Sequence, residues 1–407
     1  MSEHSQTASL PSPASPGPAS PVPHNPRISM RVLPRFLQPA LTWLTGQPLP
    51  EQRPWRLRPI HHLLASVLPL VVGVGLGVLL VRFGWWAFLL PISWLLTTHG
   101  MRKLRAVIFH QCSHRNCFRK RWPDLLIGHI IAMLFITQEY ADYKREHVAD
   151  HHSVHHMTMR DPTVQFLIIG LKARPGMSRR RLWSRLWITL LSPHYHITST
   201  YARLASHFRG TPTWYRLLMA TVLAAEALLV TLTGSWLVVT VVWLVPLTVL
   251  FNASAAIRVC TRHLFPEPGV ALTGKEAIAS HTHGIFLGDE VPDMSAPQPQ
   301  RSLGWIRWWS RVVFVHLPAR LFVMVGDAPC HDYHHRFPRS RQWANYLFAR
   351  QRDLQQGHMG WPPYTEVWGM ANSVNAVFDS LSLADPELYT PATAPNVSPR
   401  EYLIYEE

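Results

Sequence analysis

The side chains best able to do chemistry in this sequence are its histidines, 24 in 407 residues. Most of the informative ones fall into three boxes: HQCSH with His110 and His114, EHVADHHSVHH with His147, His151, His152, His155 and His156, and CHDYHH with His331, His334 and His335. HxxxH sets two imidazoles one helical turn apart on one face, and HxxHH adds a third beside them, so each box can aim several neutral nitrogens at one point. At this histidine content a random chain would hold roughly 0.08 HxxHH matches, so two of them together with an HxxxH are not chance. Imidazole suits Zn, Cu, Fe and Ni, and eight or more clustered histidines exceed the ligand set of one zinc, so two metal ions are implied. Asp161 and Asp332 are candidates to accept the ring N–H of a ligand histidine, with solvated loop carboxylates as the alternative. No CxxC pair is present; Cys112, Cys117 and Cys330 can be read as thiolate ligands or as small buried residues kept reduced. His99, His129 and His316 stand alone and read as ordinary core or solvated histidines.

Such boxes need a scaffold, and the apolar runs supply one. The chain is 47% hydrophobic and only 15% charged, with a formal charge of +15, which excludes an acidic disordered chain; its four cysteines exclude a small disulfide-stapled domain. Positive charge alone would suit nucleic acid or an anionic membrane surface, and the apolar runs decide for the membrane and against nucleic acid. Leu63 to Val81 carries no charge, long enough to cross a hydrocarbon core of ~30 Å at ~1.5 Å per residue. Arg82 and a short aromatic turn lead into a second uncharged run to Thr98, which must return antiparallel. Leu217 to Thr233 and Trp236 to Ile257 form a second pair about Gly234 and Ser235, interrupted by Glu226. The expected fold is therefore an all-α integral membrane protein, with four transmembrane helices in two hairpins (63–98 and 217–257) and a helical cap that holds the boxes; a soluble core with two buried hairpins is the alternative.

Charge orients this arrangement. Arg102, Lys103, Arg105, Arg115, Arg119, Lys120, Arg121, Lys172, Arg174, Arg179, Arg180, Arg181 and Arg185 lie between the hairpins, whereas the tight turns hold only Arg82. By the positive-inside rule the boxes and both termini are cytoplasmic. Residues 1–30 are a Ser, Ala and Pro tract without an apolar core, so no cleavable signal is expected, and 1–55 reads as a disordered tail and linker. Residues 56–350 read as the membrane domain and 351–407 as a C-terminal cytoplasmic extension. The WIRWW stretch from Trp305 to Trp309 mixes Arg with Trp like a helix lying at the membrane interface, with a core helix as the alternative.

Three histidine boxes, the first after one hairpin and the third after the other, resemble the membrane fatty acid desaturase and hydroxylase superfamily from about residue 60 to 350. Arg258 and His263 in IRVCTRH resemble the family's intervening "Arg, four residues, His" element, and His334, His335, Arg336, Phe337 and Pro338 resemble its HH-x-FP ending. The resemblance implies a cytoplasmic non-haem di-iron centre, two Fe held by histidines drawn from His110, His114, His147, His151, His152, His155, His156, His263, His331, His334 and His335, with Asp161, Arg258 and Asp332 behind them. It implies use of O2 and two electrons on an unactivated C–H bond of an acyl lipid or acyl thioester. The second box has two registers, HxxHH at His152, His155 and His156 and HxxxHH at His147, His151 and His152. The distance to Asp161 and Pro162, with Tyr143 and Arg145 upstream, favours the latter by resemblance and leaves His155 and His156 to tune the site. His281 and His283 in SHTHG are extra to the pattern. No HPGG cytochrome segment or rubredoxin CxxC is present, so electrons are expected from a separate acidic carrier such as a ferredoxin, steered by basic loops that can also hold anionic lipid headgroups. Desaturation is the expected reaction; a hydroxylase or ketolase on the same fold, or a zinc-dependent membrane hydrolase, are the alternatives.

Overall fold

The computed structural model describes residues 25–84 and 86–394. It is mostly helical, with a single two-stranded sheet among the described residues. Helix α1 (Pro59–Phe83) ends at Gly84, whose φ of 67° only glycine adopts without strain, and the chain turns back into α2. That helix comprises Leu90–Lys103, a π-helical turn over Leu104–Phe109 and His110–Ser113. The two helices touch backbone to backbone. A Cβ at Gly73 would lie 2.5 Å from the Thr97 nitrogen, and one at Gly100 would lie 2.6 Å from Leu70 Cβ, so glycine at these positions sets the helix separation. Ser93 Oγ donates to the Gly73 carbonyl at 2.7 Å across the same seam.

The second hairpin is α3 (Thr213–Leu232) and α4 (Trp236–Val259), joined at Gly234. Trp94 Nε1 donates to the Val241 carbonyl at 2.8 Å and ties α2 to α4. Among the described residues three helices, α1, α3 and α4, are long and apolar enough to cross a membrane. Leu64, Leu68, Leu217, Leu228, Leu229 and Leu232 project outward from them, as lipid-facing side chains do. In α2 the apolar stretch gives way to Arg102, Lys103 and Arg105, all buried, before the first histidine box begins.

The remaining chain builds the cap. Strand β1 (Gly284–Phe286) pairs in parallel with β2 (Glu366–Trp368), so sequence from beyond residue 350 is woven into the body. Helix α5 (Met370–Leu383) buries Val374, Val377, Phe378 and Leu381 against Leu182 and Leu186. The stretch 25–55 also differs from the linker its composition suggests. Arg27 is fully buried, with Nε on the Gln47 carbonyl at 3.0 Å and Nη2 on Thr42 Oγ1 at 3.1 Å, while Met30, Leu41 and Leu44 pack against Trp308 and Val312. Averaged over a Pro-rich window, these few anchors are invisible; packed, they suffice. The expected tail at residues 1–24 lies outside the described residues. Gln298–Arg311, which carries the WIRWW stretch, has two faces: Trp308 is buried and donates to the Asp289 carbonyl, while Leu303 and Ile306 are exposed.

The close seam makes a prediction. Gly100→Leu should destabilise the protein by about 2 kcal/mol or more, because backbone rather than a flexible side chain blocks the new atoms. Gly75 lies on the same hairpin with nothing within 4 Å of its Cβ position, so Gly75→Ala should be neutral or gain about 0.5 kcal/mol. Thermal unfolding of the detergent-purified variants measures both, and equal melting temperatures would contradict the packing.

Candidate metal centre

Four separate pieces of chain deliver imidazoles to one buried volume. His110 and His114 come from the end of α2, where the preceding π turn widens the helix by one residue and resets the face they occupy. His147 and His151 sit on a second π turn, Glu146–His151, which continues the short helix Tyr140–Arg145. His263 follows the end of α4, and His331, His334 and His335 lie on the helix His331–Arg336. Two groups result, His110 with His114, His147 and His334, and His151 with His263, His331 and His335; in each, the donor atoms lie within 4.8 Å of one another. His152 joins them, with its Nε2 3.1 Å from that of His334 and its ring 4.3 Å from that of His335.

The spacings carry chemical information. Nε2 to Nε2 distances are 2.8 Å for His110 and His334, 3.0 Å for His114 and His147, 3.2 Å for His263 and His331, and 3.1 Å for His331 and His335. Two imidazole lone pairs this close repel unless a proton or a cation lies between them. With metal–nitrogen bonds of about 2.1 Å, neighbouring ligands of an octahedral ion lie about 3.0 Å apart, and those of a tetrahedral ion about 3.4 Å. The closest pairs are within reach of neighbouring ligands on one ion. Burial, reinforced by the neighbouring histidines, holds His263 and His335 well below the ordinary imidazole pKa, so they are neutral and able to ligate.

Partners behind the ligating face select the tautomers. His151 Nδ1 donates to both Asp161 oxygens at 3.0 and 3.1 Å, which leaves the Nε2 lone pair directed at its group. Asp161 also accepts from the Met157 and Thr163 amides at 2.9 and 2.8 Å, and His156 Nδ1 lies 3.3 Å away. Burial opposes ionisation of this carboxyl, but His151 and His156 outweigh it and hold its pKa well below the usual range. Tyr143 shares a hydrogen bond with His110 Nδ1 at 3.1 Å and stacks on His147. The Arg105 guanidinium lies over the Tyr143 ring, 3.9 Å from its centre, and steadies it.

The sequence matches the model of the family described as fatty acid desaturase over residues 83–368. The chain belongs to the fatty acid desaturase family. It is 27% identical over 308 residues to the sn-1 oleoyl-lipid 12-desaturase of Synechocystis sp., covering 72% of this chain and 79% of that protein. It is 38% identical over 85 residues to the sn-1 oleoyl-lipid 12-desaturase of Anabaena variabilis, a match that spans 21% of this chain and 23% of that protein.

Within this family member, the other histidines singled out from sequence sort by position. His155 is in neither imidazole group, and the His156 ring lies between Asp161 and the rings of His263 and His335. His283 Nε2 bonds Ser373 Oγ at 2.7 Å, while His281 faces only the His156 ring, 6.1 Å away. His99 bonds the Leu321 carbonyl and His316 bonds Asp289, as solitary structural histidines do. Cys112, Cys117, Cys260 and Cys330 are buried free thiols outside both groups. Arg258 is buried in the last turn of α4, five residues before His263. Asp332 departs from the role weighed for it. Its carboxylate receives Arg350 Nε and Nη2 at 3.0 and 2.9 Å, and Arg350 Nη1 reaches Glu366 at 2.8 Å. Burial disfavours the Arg350 charge, yet these two carboxylates prevail and raise its pKa. Sequence reading missed Arg350, Glu366 and also Arg262, whose Nη1 lies 3.4 Å from His331 Nε2, because no local spacing links them to a box.

The two aspartates should therefore fail differently. Asp332→Asn leaves Arg350 buried with a weakened partner and should cost about 3 kcal/mol or more in stability. Asp161→Asn should weaken metal affinity by about 10 to 100-fold through loss of the His151 tautomer. Thermal unfolding and metal titration of both variants check this; a larger loss of metal affinity in the Asp332 variant would reverse the two roles.

Proposed function

We propose that the protein is an O2-dependent acyl-lipid desaturase with two irons held by histidine. The observation that carries this reading is the pair of buried four-histidine groups linked by His152, in a chain of this family. His110, His114, His147 and His334 would hold one iron, and His151, His263, His331 and His335 the other, with His152 between them. His155 and His156 are then not direct ligands, and the HxxxHH register of the second box is the working one. The family and the names of both relatives support iron and desaturation over zinc hydrolysis or hydroxylation.

When bound, the two irons supply the reduction of O2 and the removal of hydrogen from adjacent methylenes, which leaves a double bond. The protein's own groups prepare that chemistry. Asp161 fixes the proton of His151 on Nδ1, Tyr143 orients His110, and burial keeps His263 and His335 neutral. Four transmembrane helices, with α2 as the fourth, would place the groups at the cytoplasmic surface with both termini on the same side, where an acyl chain enters from the bilayer. Exposed Arg115, Arg119, Arg121, Arg339 and Arg341, with the half-buried Lys144, lie near the boxes and suit an acidic electron carrier. The relatives' names suggest an acyl chain esterified in a membrane lipid as substrate.

Expression in a host that makes monounsaturated lipids, followed by chain analysis, should reveal an additional double bond. Purified protein should carry close to two irons, and alanine at His110, His147, His151, His331 or His335 should abolish product and lower iron content together, because ligands of one centre act as a unit. Alanine at His155 should spare the iron. Stoichiometric zinc with activity that survives iron chelation, or iron retained in the His147 variant and lost in the His155 variant, would contradict the assignment.

A further inference from the structure

A cavity of about 180 Å³ lies where the first turns of α1 meet α2, between the N-terminal segment and the chain that follows the third box. Its walls are largely aromatic and aliphatic, with Trp43, Trp55, Leu347 and Phe348 among them, yet two cations also line it, Lys103 and Arg320. Lys103 is 8% exposed and Arg320 is 1% exposed. No carboxylate is among the lining residues. Arg320 spends Nε on the Trp43 carbonyl at 2.8 Å and Nη2 on the Gly326 carbonyl and Tyr346 hydroxyl at 3.0 and 3.2 Å, but its buried Nη1 has no hydrogen-bond partner. Neither cation has an ion-pair partner among the described residues, which is a standing cost in an isolated protein, since a buried charge is tolerated when it is paired.

The position of the opening says what would pair with them. His61 and Ala65 line the cavity and are exposed on α1, and the same stretch of helix presents Leu64 and Leu68 outward. In the membrane reading of α1 these are its first turns inside the cytoplasmic leaflet, the depth at which headgroup oxygens meet the first chain methylenes and at which tryptophans such as Trp43 and Trp55 concentrate. The volume accepts a small charged group and the root of a chain, with the rest of the chain left along Leu64 and Leu68. None of the imidazoles of the two metal groups lines it; on α2, Lys103 precedes His110 by seven residues, about 10 Å of helix.

We propose that this cavity binds the oxyanion of a membrane amphiphile, a lipid phosphate or a fatty acid carboxylate, between Lys103 and Arg320, at a site separate from the metal centre. The bound anion neutralises the two cations and fastens the N-terminal segment, through Trp43 and Trp55, to the hairpin. The inference rests on the membrane reading of α1 and not on the identity of the metal or the reaction.

The test uses the full-length, metal-loaded protein in neutral detergent, with thermal unfolding followed on addition of phosphatidylglycerol, oleate, phosphatidylcholine or inorganic phosphate. Phosphatidylglycerol or oleate should raise the melting temperature by several degrees, as expected for a ligand that binds only the folded state, and the stronger of the two identifies the anion's source. Phosphatidylcholine and inorganic phosphate should have less effect. Lys103→Met should keep its metal, melt no lower than the wild type without lipid, and bind the effective amphiphile about tenfold or more weakly; Lys103→Arg should keep the response. An undiminished shift in Lys103→Met, a lower melting temperature of that variant without lipid, no shift with either anionic amphiphile, or an equal shift with inorganic phosphate would overturn the proposal. Loss of desaturase activity without change in these shifts would bear on the proposed reaction and leave this site standing.

Discussion

The structure turns on one constraint: nine imidazoles from four distant stretches of chain must face one another inside a largely buried volume. Their Nε2 atoms approach to about the separation of neighbouring ligands on one ion, a spacing that is repulsive without a cation or shared protons. The surrounding structure can hold them only by ordering each ring from behind. Asp161 does so for His151, Tyr143 for His110, and for the third box the backbone is braced by Asp332 against Arg350 and Glu366. Gln47 reaches the same Glu366, so the N-terminal segment, the third box and β2 share one buried network.

The protein manages its excess positive charge by a related economy. Several arginines rest on aromatic faces: Arg105 on Phe109 and Tyr143, and Arg102 and Arg203 on Phe251. The ring faces accept the cations without offering a ligand. At Lys103 and Arg320 a cavity lined by no carboxylate lies beside the first turns of α1.

Scaffold and site are linked through the hairpins. Contact at Gly73 and Gly100 fixes how α1 and α2 lie together, and α2 carries that register directly into His110 and His114 through its π turn. The α4 helix does the same for His263, and Trp94 locks the two hairpins to each other. Apolar side chains outside and imidazoles at the end of the bundle suit a substrate that stays in the membrane while its reacting carbons reach the metal centre.

The amino-acid sequence by itself determined the parts whose signal is local. Helical spacing grouped the histidines into boxes, uncharged runs marked the hairpins, and the order of boxes and runs pointed to the family, because each pattern lies within a few turns of one element. What only the tertiary structure decided depends on side chains that meet across long stretches of chain. Two registers of the second box are equally regular as text, and the π turn at Glu146–His151 is what carries His147 to one imidazole group and His151 to the other while His155 stays outside both. Asp161 and Asp332 are alike as neighbours of boxes, but folding puts one beside His151 and the other beside an arginine eighteen residues on. Composition likewise marked 25–55 and 351–407 as appendages, yet Arg27, Gln47, Glu366 and Phe378 have their partners elsewhere in the chain. Burial and charge pairing are properties of the folded volume, and no window along the sequence contains both members of such a pair.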